Sequence, residues 1–170
     1  VSVIICAKNE AVNLLKNLPF ILNQRHKKFE VIVVNHGSTD KTEIVLRDFQ
    51  RNHKHLKTLS VENNQNGKKE LITHAIKHAK HECLIFTDAD CSPNSANWIK
   101  KISDSFSSNK NIVIGYGPNH QKSGLLNYFF RFDTAITGIT YFSYALGKQA
   151  YMGVGRNMAY TKSLFYLING

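Results

Sequence analysis

The chain has 170 residues, of which 42% are hydrophobic and 20% charged; this suits one globular domain with its own core and excludes both wholesale disorder and two ordinary domains. Three cysteines without a Cys-x-x-Cys pair argue against a disulfide framework or zinc knuckle and favour a reducing, cytosolic compartment. The 22 Lys and Arg outnumber the 12 Asp and Glu, and the resulting +10 favours an anionic partner: a nucleotide diphosphate, nucleic acid or an acidic membrane surface.

The opening run Val1 to Ala7 is apolar and β-branched, as expected of a strand buried on both faces. A helix is expected to begin near Asn9 and Glu10, carrying Val12, Leu14, Leu15, Leu18, Ile21 and Leu22 at helical spacing, with a kink or restart at Pro19. Phe29 to Val34 reads as a second strand. Gly37 to Asp40 reads as a turn with a helix cap, and Ile44, Val45, Leu46 and Phe49 continue that helix. A third strand is expected over Leu56 to Val61, a polar loop over Asn63 to Gly67, and a helix over Lys68 to Lys80. A fourth strand, Cys83 to Thr87, leads into Asp88-Ala-Asp90. A helix over Ser95 to Phe106 and a fifth strand over Asn111 to Tyr116 follow. Strands alternating with helices imply βαβ units and a mainly parallel sheet.

Leu125 to Leu146 is densely aromatic but carries Arg131 and Asp133 near its centre, which argues against a membrane span. An amphipathic segment packed on the core, on other parts of the protein or on a membrane surface is the expectation. The start at Val1 inside an apolar run, without Met, and the stop at Gly170 read as marks of a fragment cut at both ends.

Ligands of open parallel sheets bind beyond the carboxyl ends of the strands, where strand order switches. Polar clusters fall at four such ends: Lys8-Asn9-Glu10, Asn35-His36, Asp88 with Asp90, and the loop around Tyr116; Gly67-Lys68 is placed to join them. Among the 12 carboxylates, only Asp88 and Asp90 are paired directly after a buried apolar strand. Two carboxylates so spaced suit a hard divalent cation, Mn²⁺ or Mg²⁺, which prefers oxygen ligands and keeps positions for substrate phosphates. The competing structural reading of Asp90 is a helix cap before Ser92-Pro93, and of Glu10 a first-turn helix acid.

Five ordered segments carry a resemblance: Val1 to Glu10, Val31 to Asp40, Gly67-Lys68, Thr87 to Cys91, and Gly153 to Ala159. In this order they resemble the family 2 glycosyltransferases, inverting nucleotide-sugar enzymes with the GT-A fold, over essentially all of the chain. The resemblance implies a Rossmann-like α/β fold, incomplete at the C-terminus. Residues 1–170 form one domain, with a nucleotide-sugar-binding part at about 1–117 and an acceptor-side part at about 118–170. It implies that Ala7, Asn9 and Glu10 hold the nucleobase, that Asp88 contacts ribose or diphosphate, and that Asp90, with Asp88, holds the metal. Ala89 lies between them. Lys68 matches the lysine near the donor, and Gly155, Arg156 and Asn157 the glycine-containing loop that borders donor sugar and acceptor.

The chain departs from the family pattern twice. The second-strand motif reads Asn35-His-Gly-Ser38, so His36 stands where a carboxylate accepts a hydrogen bond from uracil; neutral imidazole accepts through one nitrogen and the protonated ring does not. No acidic motif for a catalytic base follows the glycine loop, so the base is expected beyond Gly170 and the catalytic residue stays unknown. The expected partners are a nucleotide-diphosphate sugar and a saccharide or lipid-linked acceptor, with no nucleic acid. The resemblance suggests cell-surface polysaccharide or glycolipid synthesis at the cytoplasmic side of the membrane, reached through an anionic membrane surface and segments outside these residues. The alternatives are a sugar nucleotidylyltransferase, whose first loop carries the glycines that Ala7 to Glu10 lacks, and a basic nucleic-acid-binding module.

Overall fold

Alternating residues of the central strands feed two separate cores, one on each face of a six-stranded sheet. The computed structural model describes residues 1–62 and 67–170, so most of the loop expected over 63–67 lies outside the described residues. In β1 (Ser2–Ala7), Val3, Ile5 and Ala7 enter one core while Ile4 enters the other. The same alternation divides Val31 and Val33 from Ile32 and Val34 in β2 (Glu30–His36), and Ile85 from Leu84 and Phe86 in β4 (Cys83–Asp88). This is the period-2 geometry of a strand with both faces covered.

The first core is closed by Leu14, Leu18 and Ile21 of α1 (Ala11–Leu22), by Val45 and Leu46 of α2 (Thr42–Asn52), and by Ile99 and Ile102 of α4 (Trp98–Asp104). The second is closed by Leu71, Ala75 and Ile76 of α3 (Gly67–His78) and by Phe165 of α6 (Lys162–Leu167). The helix does not restart at Pro19. α1 runs through it as one helix, because burial of Leu14, Leu18 and Ile21 on the sheet outweighs the missing N–H.

Strand order is β3-β2-β1-β4-β6-β5, with β3 spanning Leu56–Val61, β5 Ile112–Ile114 and β6 Met158–Thr161. The four strands β3, β2, β1 and β4 are mutually parallel, as expected. β6 is a correction. The end of the segment read as a glycine loop forms a strand that inserts antiparallel between β4 and β5, pairing Ile85 with Ala159 and Ala159 with Val113. The chain leaves β1 toward β2 and β3, then returns to place β4 on β1's other side. The order therefore switches between β1 and β4, whose ends meet in register at Cys6 and Asp88.

The aromatic segment is a single helix, α5 (Leu125–Leu146), that buries only Gly138 and Tyr141 among its described residues. Tyr141 donates its hydroxyl to the Gly115 carbonyl at 3.2 Å, and the Tyr116 ring lies against Gly138, where a Cβ would come within 2.7 Å of it. Leu125, Tyr128, Phe129 and Phe132 stand exposed. Among the described residues no helix is long and apolar enough to cross a membrane.

Candidate functional site

The ends of β1, β2 and β4 open into a cleft of about 310 Å³ lined by Ala7, Glu10, His36, Lys68, Asp88, Ala89 and Asp90, together with Cys6, Lys8 and Leu71. It lies at the switch in strand order, where the sequence places it. The two orphaned groups at the end of β2 are informative. Nε2 of His36 and Oδ1 of Asn35 are buried without a hydrogen-bond partner among the described residues, and His36 lines the cleft. Buried polar atoms are almost always paired, so an orphan on a cleft wall points to a ligand.

Asn9 is not among the residues that line this cleft. It adopts a left-handed φ of 57°, and its side-chain carbonyl accepts from the Thr39 backbone N–H at 2.8 Å while its own N–H donates to Ser38 Oγ at 2.9 Å. Asn9 thus clamps the loop after β2 to the loop after β1. Asp40, just before α2, ties two helix starts together: one carboxylate oxygen accepts from Thr42 N–H at 2.9 Å and the other from Ala11 N–H, the start of α1, at 3.2 Å. These bonds, led by the Thr42 hydroxyl, hold the Asp40 carboxyl below its ordinary pKa. Glu10 accepts from the Asn13 amide at 2.6 Å.

Asp88 ends β4, Asp90 lies in the turn just after it, and both line the cleft. Lys68 Nζ, at the start of α3, lies 2.6 Å from Asp88 Oδ1. Partial burial works against the Lys68 charge, but the hydrogen bond and negative charge of Asp88 outweigh it and its pKa rises. Donor atoms of Asp88, Asp90 and Cys91 lie within 4.8 Å of one another. Burial, reinforced by the neighbouring carboxylates, pushes the Cys91 thiol up to about 12, and its sulfur sits 3.3 Å from Asp90 Oδ1 as a donor. The two carboxylates of this group offer the oxygen ligands that a hard divalent ion prefers.

Sequence reasoning missed Asn17. This buried α1 residue donates from Nδ2 to the carbonyl of Ala89 at 3.0 Å, fixing the peptide between the two aspartates. A signal existed: Asn17 lies three residues after Leu14 and so falls on the apolar face.

The glycine loop is a 3₁₀ turn, Gly155–Asn157, and it divides between two further spaces. Gly155 borders a small pocket with Lys68 and Asp88. Arg156 and Asn157 line a second cavity of about 540 Å³ that shares Asp90 with the cleft. Asn157 is held on three sides: its Oδ1 accepts from Trp98 Nε1 at 3.0 Å, its Nδ2 donates to the Tyr116 carbonyl at 2.9 Å, and its own carbonyl accepts from Gly115 N–H at 2.8 Å. That close approach requires glycine at 115, where a Cβ would lie 2.3 Å from Asn157 Nδ2 and 2.9 Å from its backbone oxygen.

A three-layer α/β fold with paired aspartates at the switch of its sheet defines the class of enzymes and binding proteins whose ligands sit at strand ends. The family model "Glycosyl transferase family 2" matches residues 2–167, and the chain belongs to that family. Over 103 residues it is 36% identical to glycosyltransferase AglE of Haloferax volcanii, covering 59% of this chain and 33% of AglE. Over 90 residues it is 31% identical to the poly-beta-1,6-N-acetyl-D-glucosamine synthase of Staphylococcus epidermidis, covering 53% of this chain and 21% of the synthase. Its fold is similar to that of mannosyltransferase PcManGT from Pyrobaculum calidifontis, solved with GDP-Man and Mn²⁺; the TM-score is 0.73 at 21% identity, covering 99% of this chain and 46% of that one. It is also similar to S. aureus TarS solved with UDP-GlcNAc, with a TM-score of 0.64 at 21% identity, covering 99% and 47%. The chain thus spans less than half the length of these relatives, and the shared GT-A fold matches the expectation from sequence.

Proposed function

We propose that the chain is the donor-binding part of an inverting glycosyltransferase that moves a sugar from a nucleotide diphosphate to an acceptor hydroxyl. Family membership supports the enzyme class, and one observation carries the reading to residues: Asp88, Asp90 and His36, whose Nε2 is buried without a hydrogen-bond partner among the described residues, line one cleft at the switch between β1 and β4.

Ala7, Glu10 and His36 line the end of the cleft assigned to the nucleobase, with neutral His36 accepting through Nε2. Asn9 supports that end by bonding the two loops together. Asp90, with Asp88, would hold Mn²⁺ or Mg²⁺, which supplies Lewis-acid stabilisation of the charge growing on a departing diphosphate. Lys68 balances Asp88 and stands ready to contact phosphate, while Ala89 gives the backbone between the aspartates. Gly155, Arg156 and Asn157 would border the sugar and acceptor side, consistent with a reading of residues about 1–117 as the donor part and 118–170 as the acceptor part of one domain. An inverting transfer needs a base at the acceptor hydroxyl, and that role is assigned to no residue of this chain.

Similarity to a poly-beta-1,6-N-acetyl-D-glucosamine synthase supports a place in cell-surface polysaccharide or glycolipid synthesis, and we assign the reaction to the cytoplasmic side of the membrane. The test is donor turnover by the full-length protein. Incubation with a panel of nucleotide sugars and Mn²⁺ should release nucleoside diphosphate from one of them, and Asp90→Ala should abolish the release. Unchanged release by that variant would refute the assignment.

A further inference from the structure

The cavity on the far side of Asp90 has a charge pattern that donor binding does not use. It is lined by Lys101 from α4, His120 from the segment after β5, Arg131 from α5 and Arg156 from the 3₁₀ turn, and its only carboxylate is Asp90 at the border with the donor cleft. Among the described residues none of these four side chains is ion-paired. Arg156 reaches Asn119 Oδ1 with Nη1 at 3.3 Å, and its Nε, packed where a Cβ on Gly117 would lie 2.9 Å from it, is buried without a partner among the described residues. The cationic side chains of Lys101, Arg131 and Arg156, converging from three separate elements, are complementary to an anion. Trp98 and Tyr116 stand in the same wall, and Trp98 is fixed by its bond to Asn157, so flat apolar surface suited to a sugar ring adjoins the cationic groups.

We infer that this second cavity is the acceptor subsite and that the acceptor carries a phosphate or carboxylate beside the sugar that receives the new linkage. The inference rests on the donor reading of the neighbouring cleft and adds the acceptor's chemical class. The donor's diphosphate does not account for these cations. Its own cleft carries Lys68 beside the paired aspartates, whereas Lys101 and Arg131 do not line that cleft. Planar guanidinium forks at 131 and 156 match the geometry of a carboxylate or phosphate.

The test uses the full-length protein with glucose, glucose 6-phosphate and inorganic phosphate as probes, each titrated in the presence of Mn²⁺ and a nucleoside diphosphate. Glucose 6-phosphate should bind at least tenfold more tightly than glucose or phosphate alone. Arg131→Gln should weaken it at least fivefold, Arg131→Lys should lose less, and both variants should keep their affinity for the nucleoside diphosphate within twofold. Equal binding of glucose and its phosphate would overturn the inference, and so would phosphate alone binding as tightly as the sugar phosphate. A matching loss of nucleoside diphosphate affinity in Arg131→Gln would overturn it too, by assigning the cations to the donor. Failure of every nucleoside diphosphate to bind the parent protein would strike the donor reading instead, a result the sugar-phosphate arm reads separately.

Discussion

The side-chain amide of Asn17 reaches from the buried face of α1 to the carbonyl of Ala89, 3.0 Å away, and so ties the first helix to the turn between the two aspartates. Asn17 is nearly sealed from solvent at 3% exposure, so nothing but this carbonyl and its immediate surroundings can satisfy it. Asn17→Leu keeps the volume but leaves the Ala89 carbonyl unpaired, at a cost of about 1–3 kcal/mol. The expected outcome is a lower Tm together with weaker Mn²⁺-dependent nucleotide binding, with metal-free nucleotide binding less affected. Equal loss in both binding modes would make Asn17 a general core residue rather than a support for the aspartates.

Asp40 links pH to the stability of the same region. Its carboxyl pKa is held down in the folded chain by the Thr42 hydroxyl and the N–H groups of Thr42 and Ala11. A carboxyl whose folded pKa lies below the unfolded value of about 3.9 adds stability that is complete above that value and is lost as pH falls through the folded pKa. Asp40→Asn should therefore lower Tm at pH 6 more than at pH 3. A stability difference that is the same at both pH values would show that the charged cap contributes nothing.

His36 tests which nucleobase the cleft prefers. Restoring a carboxylate with His36→Asp supplies an acceptor that stays charged at neutral pH, and it should favour UDP over GDP by about tenfold relative to the parent, or ~1.4 kcal/mol. Competition between the two nucleotides checks this. An unchanged ratio would mean that position 36 does not read the base.

Much of the fold can be read from sequence wherever residues are buried on both faces. Val31 to Val34 and Leu84 to Phe86 are apolar without interruption, and such runs have few alternatives to a central parallel strand. The antiparallel β6 escaped because Met158–Thr161 is short, mixed in polarity and preceded by glycines, and because its pairing with β4 and β5 spans long stretches of chain. Within the site, Asp88, Asp90 and His36 stood out by their place at strand ends. The ion pair of Lys68 with Asp88 and the bond of Asn17 to Ala89 did not, since each joins elements whose approach is set only by tertiary packing. The bond of Asn9 to Thr39 is likewise invisible in sequence, because the left-handed turn that brings the side chain to the neighbouring loop is set by the fold.

In the proposed mechanism Asp90, with Asp88, anchors a divalent ion that in turn holds a nucleotide diphosphate. Calorimetric titration of GDP and UDP into the full-length protein, with and without Mn²⁺, compared between the parent and Asp90→Ala, measures it directly. The account predicts at least tenfold tighter binding with Mn²⁺ in the parent, a gain of ~1.4 kcal/mol or more, and no such gain in Asp90→Ala at unchanged Tm. Equal Mn²⁺ enhancement in the two proteins would contradict it.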